Sequence, residues 1–215
     1  MNNIQSYLHR IIGEEKANTL THLVSLLGAI IVAYPLTLMA FSHNAYAIAG
    51  TILFVVGMIL MFGSSTLYHA VTAPVHKARL RVVDHISIYI MIAGSYSPIC
   101  LYVVGGWRGW GLFVFLWVCV LAGIVGKVIA LGKYPRLSLI LYLAMGWAAL
   151  LIMRPMWLSM SHAAFLWVLA EGGFYTVGAY FFKGDEEHAY WHAIWHVFIT
   201  LGAMSHTIAV WLILK

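Results

Sequence analysis

Three histidines are spaced to hold a single metal ion. His69 closes the segment Ser65-Thr66-Leu67-Tyr68-His69, and His192 and His196 bracket His192-Ala193-Ile194-Trp195-His196. Residues four apart on a helix share a face with Cβ atoms about 5–6 Å apart, so His192 and His196 can bind one ion from one helix and His69 can add a third nitrogen from another. Three protein ligands with a fourth position left to water is the arrangement of a catalytic zinc. Imidazole also suits copper, iron and nickel, so the donor set points to a metal more firmly than to zinc. Two further side chains fit hydrolytic chemistry. Ser65 lies one turn before His69 and can hydrogen-bond the water or a substrate oxygen. Asp84 can serve as general base or can orient the water or a histidine. Zinc lowers the pKa of bound water to about 7, which makes a hydroxide nucleophile accessible at neutral pH. A plainer role for Asp84 is open as well, as the N-cap of a helix.

These residues must be positioned by membrane helices. The chain has 215 residues, of which 63% are hydrophobic and 9% charged, against about 25% charged in a soluble domain. Its mean hydropathy is +0.90. Crossing the hydrocarbon core takes about 20 apolar residues. Seven stretches meet or approach that length: 20–41, 46–69, 84–104, 110–130, 137–153, 163–182 and 190–214. The expected fold is therefore an all-α, seven-transmembrane helix bundle (residues 20–215) preceded by a short N-terminal segment (1–19). That segment is polar and has no apolar run of the kind that marks a cleavable signal. Within it, Ile4, Tyr7, Leu8, Ile11 and Ile12 recur at one helical face, as an interfacial amphipathic helix or a frayed terminus would have it.

Arg10, Lys16, Lys77, Arg79, Arg81, Lys127, Lys133, Arg136 and Lys183 fall on one side of this topology, and Arg108, Arg154 and Lys215 on the other. The positive-inside rule then puts the N-terminus in the cytoplasm and the C-terminus outside. The net charge of +5 is thus a topology signal; no nucleic-acid partner is expected. The same topology gathers the polar groups at the cytoplasmic face. Asn18 and His22 open span one after Glu14 and Glu15, Ser65 and His69 close span two, Asp84 and His85 open span three, and His188, His192 and His196 open span seven. Ionisable groups at membrane depth are costly and mark functional places by default.

Glu15, Asn18 and His22 form a stripe toward this region and, with His85 and His188, are candidates for supporting the ligands. His22, His85, His188 and His206 read equally as hydrogen-bonded core residues or solvated helix ends. Glu171 sits near the middle of span six, before Gly172 and Gly173, either paired with another polar group or lining a wet cavity. Cys100 and Cys119 read as buried free thiols.

The motifs resemble those of bacterial hemolysin III proteins, the prokaryotic branch of the progestin and adipoQ receptor family. The resemblance rests on Glu15-Lys16-Ala17-Asn18 with His22, on Ser64-Ser65-Thr66-Leu67-Tyr68-His69, on Asp84-His85-Ile86-Ser87-Ile88-Tyr89, on Ile92-Ala93-Gly94-Ser95-Tyr96-Ser97-Pro98, on Gly172-Gly173-Phe174-Tyr175 and on His192-Ala193-Ile194-Trp195-His196. It implies seven helices in the cell (cytoplasmic or inner) membrane. It also implies a zinc site near the cytoplasmic leaflet, held by His69, His192 and His196 with Ser65 and Asp84 beside it. It links the chain to alkaline ceramidases, which share the Ser, Asp and three-His pattern, and so to hydrolysis of a lipid amide or ester, with a membrane lipid as substrate or ligand. The other expectations are a regulator or receptor of membrane state with a structural zinc, and a pore-forming cytolysin. A retinal protein is disfavoured because span seven has no lysine before Lys215.

Overall fold

Backbone amides in hydrocarbon have no water to bond, so apolar runs of this length must satisfy themselves as helices. In the computed structural model they do. The structure describes residues 2–130, 133 and 135–215, excepting the side chains of 2–10, 135 and 136, and no strand forms among the described residues. The helices are α1 (Asn2–Ala40), α2 (Ala45–Ala70), α3 (Pro74–Pro98), α4 (Gly106–Ala130), α5 (Pro135–Gly146), α6 (Met153–Ser159), α7 (His162–Lys183) and α8 (Trp191–Leu214). A π-helical turn, Ile99–Val104, extends α3, and a 3-10 segment, Trp147–Ile152, joins α5 to α6. Counting these extensions, seven spans among the described residues are long and apolar enough to cross a bilayer.

Three spans differ from expectation in extent. The first is one unbroken helix with the N-terminal segment, and its apolar part starts at Ile11. Ile11 and Ile12 are exposed, while the side chains of Ile4, Tyr7 and Leu8 lie outside the described residues. The fifth runs on to Ser159 through the 3-10 segment and α6. The third starts at Pro74, ten residues before the expected Asp84. Lys77, Arg79 and Arg81 depress its hydropathy without breaking the helix, since long basic side chains can reach out of the apolar layer. Pro74 at the first helical position suits the start, its missing N–H costing nothing there. Asp84 is consequently deep in α3 and caps nothing, which removes that reading. The caps are elsewhere: Asn44 accepts from the amides of Tyr46 and Ala47 at 3.0 and 3.1 Å, and Ser161 accepts from that of Ala164 at 3.2 Å.

The most apolar stretch of span three is 67% buried, against 22% in the first and fourth spans, so α3 is the most enclosed of these helices. Its small residues Ala93, Gly94, Ser95 and Ser97 let neighbours approach closely, the usual device where lipid supplies no hydrophobic drive between helices. A Cβ placed on Gly50 of α2 would stand 2.6 Å from Pro98 Cα and 2.8 Å from Pro98 N, and one on Gly94 would stand 2.8 Å from Leu53 O. These are backbone atoms with nowhere to move. Gly50→Ala should therefore lower stability by about 1–3 kcal/mol, the range for overpacking. Gly28→Ala, with open space around it, should not. Thermal unfolding of both variants in detergent checks the contrast, and equal midpoints would mean that α2 and α3 are not in this contact.

The helices close a ring that passes through α3: α1 packs on α2 and α8, α2 on α3, α3 on α4 and α5, and α7 on α5 and α8. The buried apolar side chains form two clusters. One joins α1, α2 and α8 through Leu36, Phe54, Phe62 and Val210; the other joins α3 to α7 through Tyr89, Leu116, Tyr142, Ile152 and Phe165. Outward-facing residues such as Ile31, Leu151 and Ile129 are exposed, as a surface against lipid requires. Cys100 and Cys119 are both free.

Candidate metal centre

His69 stands in the last turn of α2, and His192 and His196 in the first turns of α8. The antiparallel ring brings these ends together. One ligand atom from each imidazole lies within 4.8 Å of the other two. The ring centroids are 5.1 Å apart for His69 with either partner and 4.7 Å for His192 with His196.

Each imidazole is held from behind through Nδ1. Nδ1 of His69 meets the Glu15 carboxylate at 2.7 Å, and Glu15 also pairs with Lys77 at 3.1 Å. Nδ1 of His192 meets Asp185 at 2.6 Å. Nδ1 of His196 lies 3.2 Å from the Asn18 carbonyl and 3.1 Å from Thr21 Oγ1. Each ring's outward nitrogen is thus engaged, which leaves Nε2 for the centre. Metal-ligating histidines almost always carry this second hydrogen bond, which fixes the ring and raises its basicity. Nε2 of His69 is buried without a hydrogen-bond partner. Leaving such an atom unsatisfied costs about 1–3 kcal/mol, and a cation between the three rings removes that cost. The donor set and its orphaned nitrogen fit a metal ion.

The supporting candidates divide. Glu15 and Asn18 hold the ligands as described. His22 stacks on His196 with centroids 3.5 Å apart and planes 13° off parallel, which fixes the face of that ring. His85 points elsewhere, its Nδ1 being 3.3 Å from Lys127 Nζ, while Lys127 also donates to Ser138 at 2.7 Å. His188 packs its ring on Trp191 at 4.0 Å and does not line the cavity at the site. Ser65 hydrogen-bonds the Asp84 carboxyl, which also interacts electrostatically with His192. Asp185 was not expected. Three consecutive acids, Asp185, Glu186 and Glu187, occupy that loop, and only the turn into α8, with Tyr190 in a left-handed conformation at φ 62°, selects the one that meets His192.

The cluster opens into a cavity of about 680 Å³ inside the ring. Ser65, Asp84 and the three histidines line one end, Met61, Met91, Ile92 and Ile199 continue it, and Ile99, Met156 and Phe165 lie at the other end. Trp147, Leu150, Leu169 and Thr176 both line it and are exposed on the outside of the bundle. The wall between the 3-10 segment and α7 is therefore one side chain thick, and Trp147 Nε1 donates to Thr176 Oγ1 across it at 3.1 Å. Lys16, Lys77, Arg81, Lys127 and Lys183 lie at the histidine end of their helices and Arg108, Arg154 and Lys215 at the opposite end, a bias that puts the cluster on the cytoplasmic side.

Comparison with known proteins agrees with this architecture. The family model described as Haemolysin-III related matches residues 11–207. The "Hemolysin-3 homolog" of Bacillus subtilis (strain 168) is 36% identical over 195 residues, covering 90% of this chain and 91% of that protein. "Hemolysin-3" of Bacillus cereus is 32% identical over 195 residues, 90% and 89% of the two chains. The human "Monocyte to macrophage differentiation factor" is 30% identical over 206 residues, 92% and 83% of the two chains. No solved structure matches the chain. Since the matched region holds six of the seven spans found among the described residues and most of the last, this multi-pass cell-membrane protein belongs to the haemolysin-III-related family.

Proposed function

We propose that the protein is a metal-dependent hydrolase that cleaves an amide or ester bond of a membrane lipid, with zinc held by His69, His192 and His196. The observation that carries this reading is the three-histidine cluster standing at the polar end of a cavity of acyl-chain character that a single layer of side chains separates from the bilayer. Bound zinc would supply a Lewis acid and lower the pKa of water to about 7. The chain's own residues divide the remaining work. Asp84 takes up the proton released when water attacks the carbonyl carbon and returns it to the leaving nitrogen or oxygen as the C–N or C–O bond breaks. Ser65, which donates to the Asp84 carboxylate at rest, turns its one hydroxyl proton to the carbonyl oxygen as Asp84 becomes protonated and negative charge gathers there. Glu15, Asp185 and the Asn18 carbonyl keep the imidazoles in position. The apolar walls align the acyl chain and limit water to the histidine end.

The test is fatty-acid release by purified, zinc-loaded protein from a panel of lipid amides and esters presented in bilayers. Release above background from at least one class is expected; a fully zinc-loaded preparation that cleaves none would sink the proposal. A second reading is supported by one feature: the cluster ties α2 to α8 and, through Glu15 and Asn18, to α1. A metal with that role would clasp the cytoplasmic ends of the helices in a non-enzymatic regulator of membrane state.

A further inference from the structure

The cavity has a second polar place, well away from the histidines. Glu171 of α7 and His206 of α8 meet there, with His206 Nδ1 2.7 Å from Glu171 Oε2. The His206 side chain is 1% exposed and that of Glu171 10%, so the carboxylate is the member that faces the cavity. Tyr175 lies one turn along α7 from Glu171. Its hydroxyl and Nε2 of His206 are both buried with no hydrogen-bond partner. All three side chains line the cavity.

Depth gives this group a meaning. His206 follows His196 by ten residues, about 15 Å along the helix. That is half of a hydrocarbon core about 30 Å thick. Between the two polar places the wall is apolar, with Met61, Met91, Ile92 and Ile199. Beyond Glu171 it is apolar again, with Ile99, Met156 and Phe165. A pair that only joined two helices would leave no polar atom wanting. Here two buried polar atoms lack partners, a costly condition, and the carboxylate is turned toward space that a ligand can fill.

We infer that Glu171, His206 and Tyr175 form a recognition subsite for a hydroxyl group carried partway along an acyl chain whose head group lies at the three-histidine end. The carboxylate of Glu171 accepts the hydroxyl proton, and the Tyr175 hydroxyl donates to the hydroxyl oxygen. His206 holds Glu171 in place. The apolar stretch beyond takes the rest of the chain, so a hydroxyl at the chain's end would be misplaced. This inference rests on the proposed occupation of the cavity by lipid, and not on turnover.

The test uses the whole protein in lipid nanodiscs, with 12-hydroxystearate and stearate as probes and equilibrium displacement as the readout. The wild type is expected to bind the hydroxylated acid about tenfold more tightly, the value of one well-placed hydrogen bond. Tyr175→Phe should bring that ratio toward one while leaving stearate binding unchanged. The double variant Glu171→Leu/His206→Leu removes both members of the pair together, the substitution most compatible with folding, and should abolish the preference. A purely structural pair would lower binding of both acids alike. Equal affinities in the wild type, an undiminished preference in both variants, or binding of neither acid would each overturn the inference. A preference found in a protein that hydrolyses no lipid leaves the subsite standing and removes the hydrolase; hydrolysis without preference does the reverse.

Discussion

His69→Ala is expected to leave the purified protein without bound metal and without turnover. Among the described residues His69 is the one member of the cluster that comes from α2, and its loss leaves two nitrogens of one helix, separated by a single turn. The carboxylates behind the ligands should show a graded version of the same effect. Removing such an outer hydrogen bond typically costs about 10–100-fold in metal affinity. Glu15→Gln and Asp185→Asn should therefore retain metal at saturating zinc and surrender it sooner to a chelator. Elemental analysis after dialysis reads the first result, and a chelator titration the second. Zinc retained at full stoichiometry by both His69→Ala and His192→Ala would show that the ion, if present, sits elsewhere. Glu15→Gln carries an added consequence, because Glu15 also pairs with Lys77. That variant loosens α1 from the start of α3, whereas Asp185→Asn acts on α8 alone.

Asp84→Asn is expected to reduce lipid hydrolysis by about 10²–10⁴-fold, the usual worth of a positioned general base, with metal content and thermal stability kept. Asparagine preserves the shape of the carboxyl and can still meet Ser65, but it cannot take a proton. The measurement is the rate of fatty-acid release at matched zinc occupancy. This variant also separates the two functional readings. A metal that only clasps helices has no use for a base, so loss of cellular function in Asp84→Asn with zinc and fold intact speaks for chemistry. Unchanged function speaks for the clasp. The location of Asp84 sharpens the experiment. It lies in the interior of α3, ten residues past Pro74, so its replacement removes no helix cap.

Much of the architecture was legible in the chain because hydrocarbon imposes a simple code. Apolar runs of fixed length mark the spans, and alternate placement of Lys and Arg orients them. The histidine cluster was legible for the same reason, since the depth of His69, His192 and His196 follows from where each span ends. What stayed hidden depends on rotation about helix axes and on the course of loops. Glu171 and His206 are each conspicuous alone, yet that they face one another follows only from how α7 turns against α8. Asp185 was hidden among neighbouring acids until the turn at Tyr190 was known. The start of α3 was misplaced because a charged first turn looks like a loop to hydropathy. His188 was grouped with the cluster by proximity in sequence, but it is turned onto Trp191.

The thin side wall between the 3-10 segment and α7 has a kinetic consequence. A ligand that parts it comes from the plane of the bilayer, a two-dimensional solution. Its effective concentration is its mole fraction among lipids, so diluting the membrane with inert lipid starves the cavity even when the bulk amount is constant. Soluble head-group analogues, however well they fit the histidine end, compete from a different phase. Trp147, 40% exposed in this wall and hydrogen-bonded across it to Thr176, is in position to sense each arrival through its fluorescence.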